Sequence, residues 1–245
     1  MVKVEACISG DRPDQAMVNA REAYEGGADT IELCASMEDD GLTPSVQSIA
    51  AARTAFSRKG LMVMIRPRAG NFVYSETEYQ KMEANIASAA AEGADGVVFG
   101  AIDEKGLIDE EGLERVVQRC RSVGVLTTFH RAFDVLKDRL EGLEVLIDFG
   151  VDRLLTSGVT WGLPGGALEG VDALKTLVAK VDGRIEIVVG GSVGPGNATE
   201  IVSSLGRYSG PLSLHAYSGV QEIGETSRSK VKALIEAANL QERER

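Results

Sequence analysis

Gly27-Ala28-Asp29-Thr30-Ile31-Glu32-Leu33, Gly93-Ala94-Asp95-Gly96-Val97-Val98-Phe99 and Gly150-Val151-Asp152-Arg153-Leu154-Leu155-Thr156 are three versions of one phrase. Each follows a helix-like stretch and opens a short apolar run. That order reads as a helix closed by glycine, a turn and a buried strand. A second set alternates with the first: Gly60 precedes the apolar run 61–65, Gly124 precedes 125–129, and Gly183 precedes 185–189. Runs at 2–6 and 212–215 bring the strands to eight, with starts 27 to 35 residues apart. This is the beat of a βα unit repeated eight times. It predicts an α/β chain folded as a single (β/α)8 TIM barrel over residues 1–245, with 241–245 as a frayed tail.

The intervening segments 13–25, 44–59, 75–92, 109–123, 137–149, 167–181, 197–205 and 227–239 read as helices. Pro13 suits a first helical turn, and Ser75 followed three residues later by Glu78 has the form of a capping box. The connections after the strands (36–43, 66–74, 131–136, 157–166 and 190–196) are long, and those before them are short. In this fold that asymmetry places function at the C-terminal ends of the strands.

A length of 245 residues suits one such barrel and one large core. A net charge of −11 argues against nucleic acid or an acidic membrane surface as partner. No apolar run approaches a membrane span, and the chain enters a strand at once, so no secretory leader is expected. Three cysteines without a Cys-x-x-Cys pair fit a reducing, cytoplasmic setting.

Both histidines, His130 and His215, fall at strand C-termini, where proton transfer near neutrality is useful. Glu5 with Cys7 and Glu32 with Cys34 repeat a Glu-x-Cys pattern at the ends of strands one and two. Alternation puts residues i and i+2 on one face, so two carboxylates and two thiols are expected at the barrel mouth. Arg66 and Arg68 are the expected partners of those carboxylates. Glu186, early in strand seven, is placed lower in the barrel. Thiols on adjacent strands could hold a soft ion such as Cu(I) or be small buried hydrophobes, whereas Cys120 reads as packing. The glycine-rich segment Gly190-Gly191-Ser192-Val193-Gly194-Pro195-Gly196, with His215 to Gly219, is a candidate anion site built on backbone N–H groups. No lysine ends a strand, and no nucleotide or serine-hydrolase loop is present.

Glu5-Ala6-Cys7, Glu32-Leu33-Cys34, Gly41-Leu42-Thr43-Pro44-Ser45, the run from Met64 to Ser75, Gly96 to Ala101, Thr128 to Asp134 and Leu155-Thr156-Ser157-Gly158 together resemble the CutC family of copper homeostasis proteins. The match continues through Ala167 to Gly170 and Gly183 to Ile187. The resemblance implies a TIM barrel, a cytoplasmic location and copper binding, with Cys7 and Cys34 as ligands. The chain departs from the family in two places. After strand seven it has Val189-Gly190-Gly191-Ser192 in place of Pro-Gly-Gly-Gly. After strand eight it has His215-Ala216-Tyr217-Ser218, whose extra tyrosine is expected to alter the anion pocket.

Three readings follow. The first is Cu(I) binding at Cys7 and Cys34, with no organic cofactor. The second is an enzyme doing isomerase- or lyase-like acid–base chemistry on a small phosphorylated or carboxylate metabolite. In it Glu5 or Glu32 abstracts a proton, His130 donates one, and Arg66 with Arg68, Ser157, Gly190, Gly191, Ser192 and His215 holds the anion. The third is a scaffold acting through homo-oligomer contacts.

Overall fold

The computed structural model describes residues 1–206 and 208–240, so the expected frayed tail at 241–245 lies outside the described residues. Eight parallel strands close into a barrel in sequence order: β1 (Lys3–Ser9), β2 (Thr30–Cys34), β3 (Leu61–Met64), β4 (Gly96–Phe99), β5 (Leu126–Phe129), β6 (Arg153–Thr156), β7 (Glu186–Val189) and β8 (Leu212–Ala216). β8 pairs with β1 to complete the ring. Among the described residues, α1 (Pro13–Gly26), α2 (Val46–Ala55), α3 (Glu76–Ala91), α4 (Glu110–Val123), α5 (Arg139–Asp148), α6 (Val171–Val181) and α7 (Ala198–Leu205) lie between successive strands, and α8 (Arg228–Ala238) follows the last. A small hairpin, β9 (Gln221–Glu222) and β10 (Glu225–Thr226), leads into α8.

The strand starts lie within one residue of the sequence reading, because the punctuation is physical. Gly27, Gly93 and Gly150 have φ of 93°, 88° and 74°, the left-handed turn that ends a helix without a Cβ penalty. The aspartate of each repeated phrase has its own task. Asp29 accepts the Val4 N–H (2.8 Å), Asp95 accepts those of Gly60 and Leu61 (2.7 and 3.0 Å), and Asp152 accepts that of Thr127 (2.8 Å). Each carboxylate preceding an even strand thus pins the start of the odd strand before it. The phrase recurs every second unit because it fastens strands in pairs.

Side chains alternate across the barrel wall. Residues such as Val4, Ile31, Val63, Phe99, Leu154 and Leu214 point outward and are fully buried under the helices. The opposite parity fills the interior and carries the chemistry. Thiols and thioethers from Cys7, Cys34, Met62 and Met64 cluster there with Val98, against Met37 and Tyr217.

Candidate functional site

The lower interior holds a charged layer. Arg153 Nη2 lies 2.7 Å from Glu5 Oε2, and its Nε lies 3.6 Å from Glu186 Oε2, which Lys3 approaches at 3.9 Å. Thr30 Oγ1 donates to Glu5 Oε2 at 2.9 Å, and His215 Nδ1 is 3.1 Å from Glu5 Oε1. Glu186 therefore sits low, as its early place in β7 suggested. The expected pairing of Glu5 and Glu32 with Arg66 and Arg68 is not formed. Arg153 and His215 serve Glu5 instead. Arg153 has inward parity on β6, a signal legible in the sequence.

Burial of Glu5 acts to raise its pKa, but Arg153 and His215 outweigh it and hold the carboxyl at about 2. Burial alone would deprotonate His215, yet Glu32, Cys7 and Glu5 raise it well above the usual imidazole value. The half-buried His215 therefore favours its protonated form beside Glu5 while also lining the cavity above.

Above this layer stand the thiols. The register pairs Cys7 directly with Glu32 and Ser9 with Cys34, so Cys7 lies across from Glu32, Cys34 lies two residues further along β2, and the two thiols are diagonal to each other. Both donate to one oxygen, Glu32 Oε1, at 3.6 Å from Cys7 Sγ and 3.3 Å from Cys34 Sγ. Glu32 Oε2 is buried without a hydrogen-bond partner. Burial, then the charge of Glu5, raises the Glu32 pKa against the opposing pull of His215 and the thiols. Contact with Cys7 and burial push the Cys34 thiol far up. One ligand atom each from Cys7, Glu32 and Cys34 lies within 4.8 Å of the others, and Glu5, Glu32 and His215 form an overlapping group.

The segment after β2 completes the wall. An antiparallel bridge between Ala35 and Leu42 folds residues 36–41 through a tight turn, with Ser36, Asp40 and Gly41 at positive φ. A side chain at Gly41 would press on Cys34 Sγ, so glycine there lets the loop lie against the thiol. The turn aims the carbonyls of Asp39 and Gly41 at Arg66 Nη1 (2.5 and 3.1 Å), while Nη2 donates to the Gly70 carbonyl at 3.1 Å.

These walls enclose a cavity of about 260 Å³, open at the C-terminal ends of the strands. Cys7, Glu32, Cys34, Arg66, His130, Gly191, Ser192 and His215 line it, so most expected site residues do converge. Glu5 lies beneath it. Arg68, Ser157 and Gly190 are not on its wall. Arg68 is drawn outward by the α3 capping box, its Nε 2.5 Å from Glu78 Oε1. Ser157 is spent on Asp134, its hydroxyl donating to Oδ2 at 2.9 Å. In the glycine-rich loop, Gly194 N–H donates to Asn197 Oδ1, and the N–H groups of Asn197 and Ala198 donate to the Gly194 carbonyl. Those backbone donors are satisfied within the loop. Tyr217, the departure after β8, does form part of the cavity wall.

His130 caps the short turn Arg131–Val135, its Nδ1 accepting from Ala132 N–H at 3.1 Å. Burial, with the charge of Arg66, pulls its pKa down to about 3. It is therefore neutral through the ordinary pH range, so the proton it would donate is the N–H of a neutral ring. Sequence reasoning missed Arg153 and the three methionines. Met62 and Met64 share the inward parity of β3, and Met37 arrives by the loop after β2.

The model of the CutC family matches residues 2–216. The chain is 39% identical over 236 residues to a CutC family protein of Bacteroides fragilis, spanning 96% of this chain and 81% of that protein. It is 38% identical over 203 residues to the human copper homeostasis protein cutC homolog, spanning 83% and 70% of the two chains. A solved CutC structure from Streptococcus agalactiae superposes with a TM-score of 0.77 at 30% identity, covering 88% of this chain and 98% of that one. Phosphoribosyl anthranilate isomerase from Thermotoga maritima, at 15% identity and a TM-score of 0.61 over 98% of this chain and 99% of that one, shares the fold alone.

Proposed function

The chain belongs to the CutC family, and from that premise we propose that it takes up copper as Cu(I) at Cys7 and Cys34. The observation that carries this reading is the pair of buried thiols with ligand atoms within 4.8 Å of each other. Soft thiolates select Cu(I), and a linear bis-thiolate ion needs sulfurs about 4.6 Å apart, twice a metal–sulfur bond of about 2.3 Å. The sulfur-rich surroundings suit a soft ion further. Met64 lines the same cavity and packs in the same cluster as both thiols, and Met37 closes over it.

Metal binding requires the thiols to lose protons. Glu32 Oε1 already accepts both S–H bonds, so the Glu32 carboxylate would take one of those protons and the second would leave to solvent through the cavity mouth. Copper here is cargo, and the residues hold it without redox chemistry of their own. All three cysteines are free, which fits the reducing cytoplasm in which Cu(I) persists. No helix among the described residues is long and apolar enough to cross a membrane. Relatives named for copper homeostasis support the reading.

The test is a Cu(I) titration of the reduced protein against a competing chelator, repeated with Cys7→Ser and Cys34→Ser. One tight equivalent in the parent protein, lost in both variants, supports the thiol site. Unchanged stoichiometry and affinity in either variant overturns it.

A further inference from the structure

We propose that the cavity mouth carries a second site, apart from the thiols, at which His130 Nε2–H and Arg66 Nε–H together bind the carboxylate of a small organic acid with an apolar body.

Arg66 is 2% exposed, and its terminal nitrogens donate to the neutral backbone carbonyls of Asp39, Gly41 and Gly70. Among the described residues no carboxylate forms an ion pair with it. Its Nε makes no hydrogen bond. A buried guanidinium whose charge no anion balances is costly, and an incoming anion relieves that cost.

His130 presents the same want from the other side. Its Nδ1 accepts from Ala132 N–H, which puts the ring proton on Nε2 and makes that nitrogen a donor. Nε2 is buried and has no acceptor. The Nδ1–Cε1 edge of the ring packs so closely on Gly100 that a Cβ there would overlap it. The ring therefore cannot retreat from the cavity it lines. Low imidazole basicity keeps Nε2 a neutral donor over the ordinary pH range.

The surroundings select the ligand. Phe72 joins the two donors, its ring 5.0 Å from that of His130 and 5.1 Å from the Arg66 guanidinium carbon. Trp161 stands edge-on to Phe72 at 5.4 Å, and Leu155 shares the cavity wall. An aromatic and aliphatic wall beside two N–H donors suits a carboxylate on an apolar body. A phosphate dianion would meet Glu32 and Asp40, which face the same cavity.

Trp161 is the only tryptophan of the chain, so its fluorescence reports on this site directly. The metal-free reduced protein is titrated with phenylacetate, with neutral phenylacetamide and with inorganic phosphate. Phenylacetate is expected to give a saturable change at least about tenfold tighter than the amide, the scale of one charge-assisted hydrogen bond. Phosphate is expected to give none. His130→Asn, which keeps an acceptor for Ala132 N–H but lacks Nε2–H, and Arg66→Lys, which keeps the charge but lacks Nε–H, are each expected to weaken phenylacetate about tenfold. Acid and amide binding alike overturns the proposal in the parent protein, whatever the variants do. So does saturable binding of phosphate in preference to phenylacetate, or parent-like binding by folded His130→Asn. With no copper present, this outcome and that of the thiol titration are independent.

Discussion

Arg153 Nη2 stands 2.7 Å from Glu5 Oε2 inside the barrel, and neither side chain reaches solvent. The arginine also faces Glu186 and donates to Thr128 Oγ1 at 3.2 Å, so one cation holds strands β1, β5, β6 and β7 together. Arg153→Met leaves Glu5 charged and buried with only His215 and Thr30 beside it. Loss of one partner of a buried pair costs about 3–5 kcal/mol. Urea denaturation is expected to show a loss of that size, and a loss below about 1 kcal/mol would mean that the layer is held by something else.

Acid stability should carry the signature of His130. Its unfolded pKa is about 6.5, and in the fold it stays neutral down to about 3. Between those values the unfolded chain binds the proton that the folded chain refuses. Stability therefore falls as the pH is lowered from about 6.5 to about 3, with a contribution no steeper than about 1.4 kcal/mol per pH unit. His130→Asn removes the titration and should flatten this limb relative to the parent. Parallel curves of denaturation midpoint against pH would refute the assignment. His215 works in the opposite sense. Its raised pKa gives stability that is complete below about 6.5 and is lost as the pH climbs through the folded value.

Asp95 holds the N–H groups of Gly60 and Leu61 and also Arg53 Nη1 at 2.8 Å. Asp95→Ala leaves three donors without their acceptor and should cost about 1–3 kcal/mol. Amide exchange at Leu61 should accelerate with it. Exchange at the parent rate would show that β3 is fastened elsewhere.

Met64→Leu conserves volume and should change stability by less than about 1.5 kcal/mol. If the thioether supports the bound ion, Cu(I) affinity falls about tenfold with stoichiometry unchanged. Equal affinity in a competition titration would confine the site to the two thiols.

The strands were readable because each is announced by a helix-ending glycine and an apolar run, and both are local signals. The meeting of Cys7, Glu32 and Cys34 was readable for a similar reason, since alternation fixes a face once the strands are placed. Arg66 and Arg68 were misassigned because their partners come from loops. A bridge at Ala35 and Leu42 sends carbonyls to Arg66, and a capping box at Ser75 and Glu78 takes Arg68. Such partners depend on how two connections fold over one another, which periodicity does not encode. Arg153 could have been found by the parity that identified the thiols. His130 sits where the sequence placed it, but its charge state depends on burial and on Arg66, neither of which a strand pattern reveals.

The charged layer under the thiols turns the barrel into a vessel with a single doorway. Glu5, Arg153, Thr128 and Ser213 stopper its lower end. Whatever reaches Cys7 and Cys34 must leave by the route it entered, past Arg66, His130 and Tyr217. Such a container cannot pass cargo through from one side to the other. If Cys7 and Cys34 hold copper as proposed, a recipient would have to draw it back out through the entrance, and the residues around that opening would set the rate of unloading.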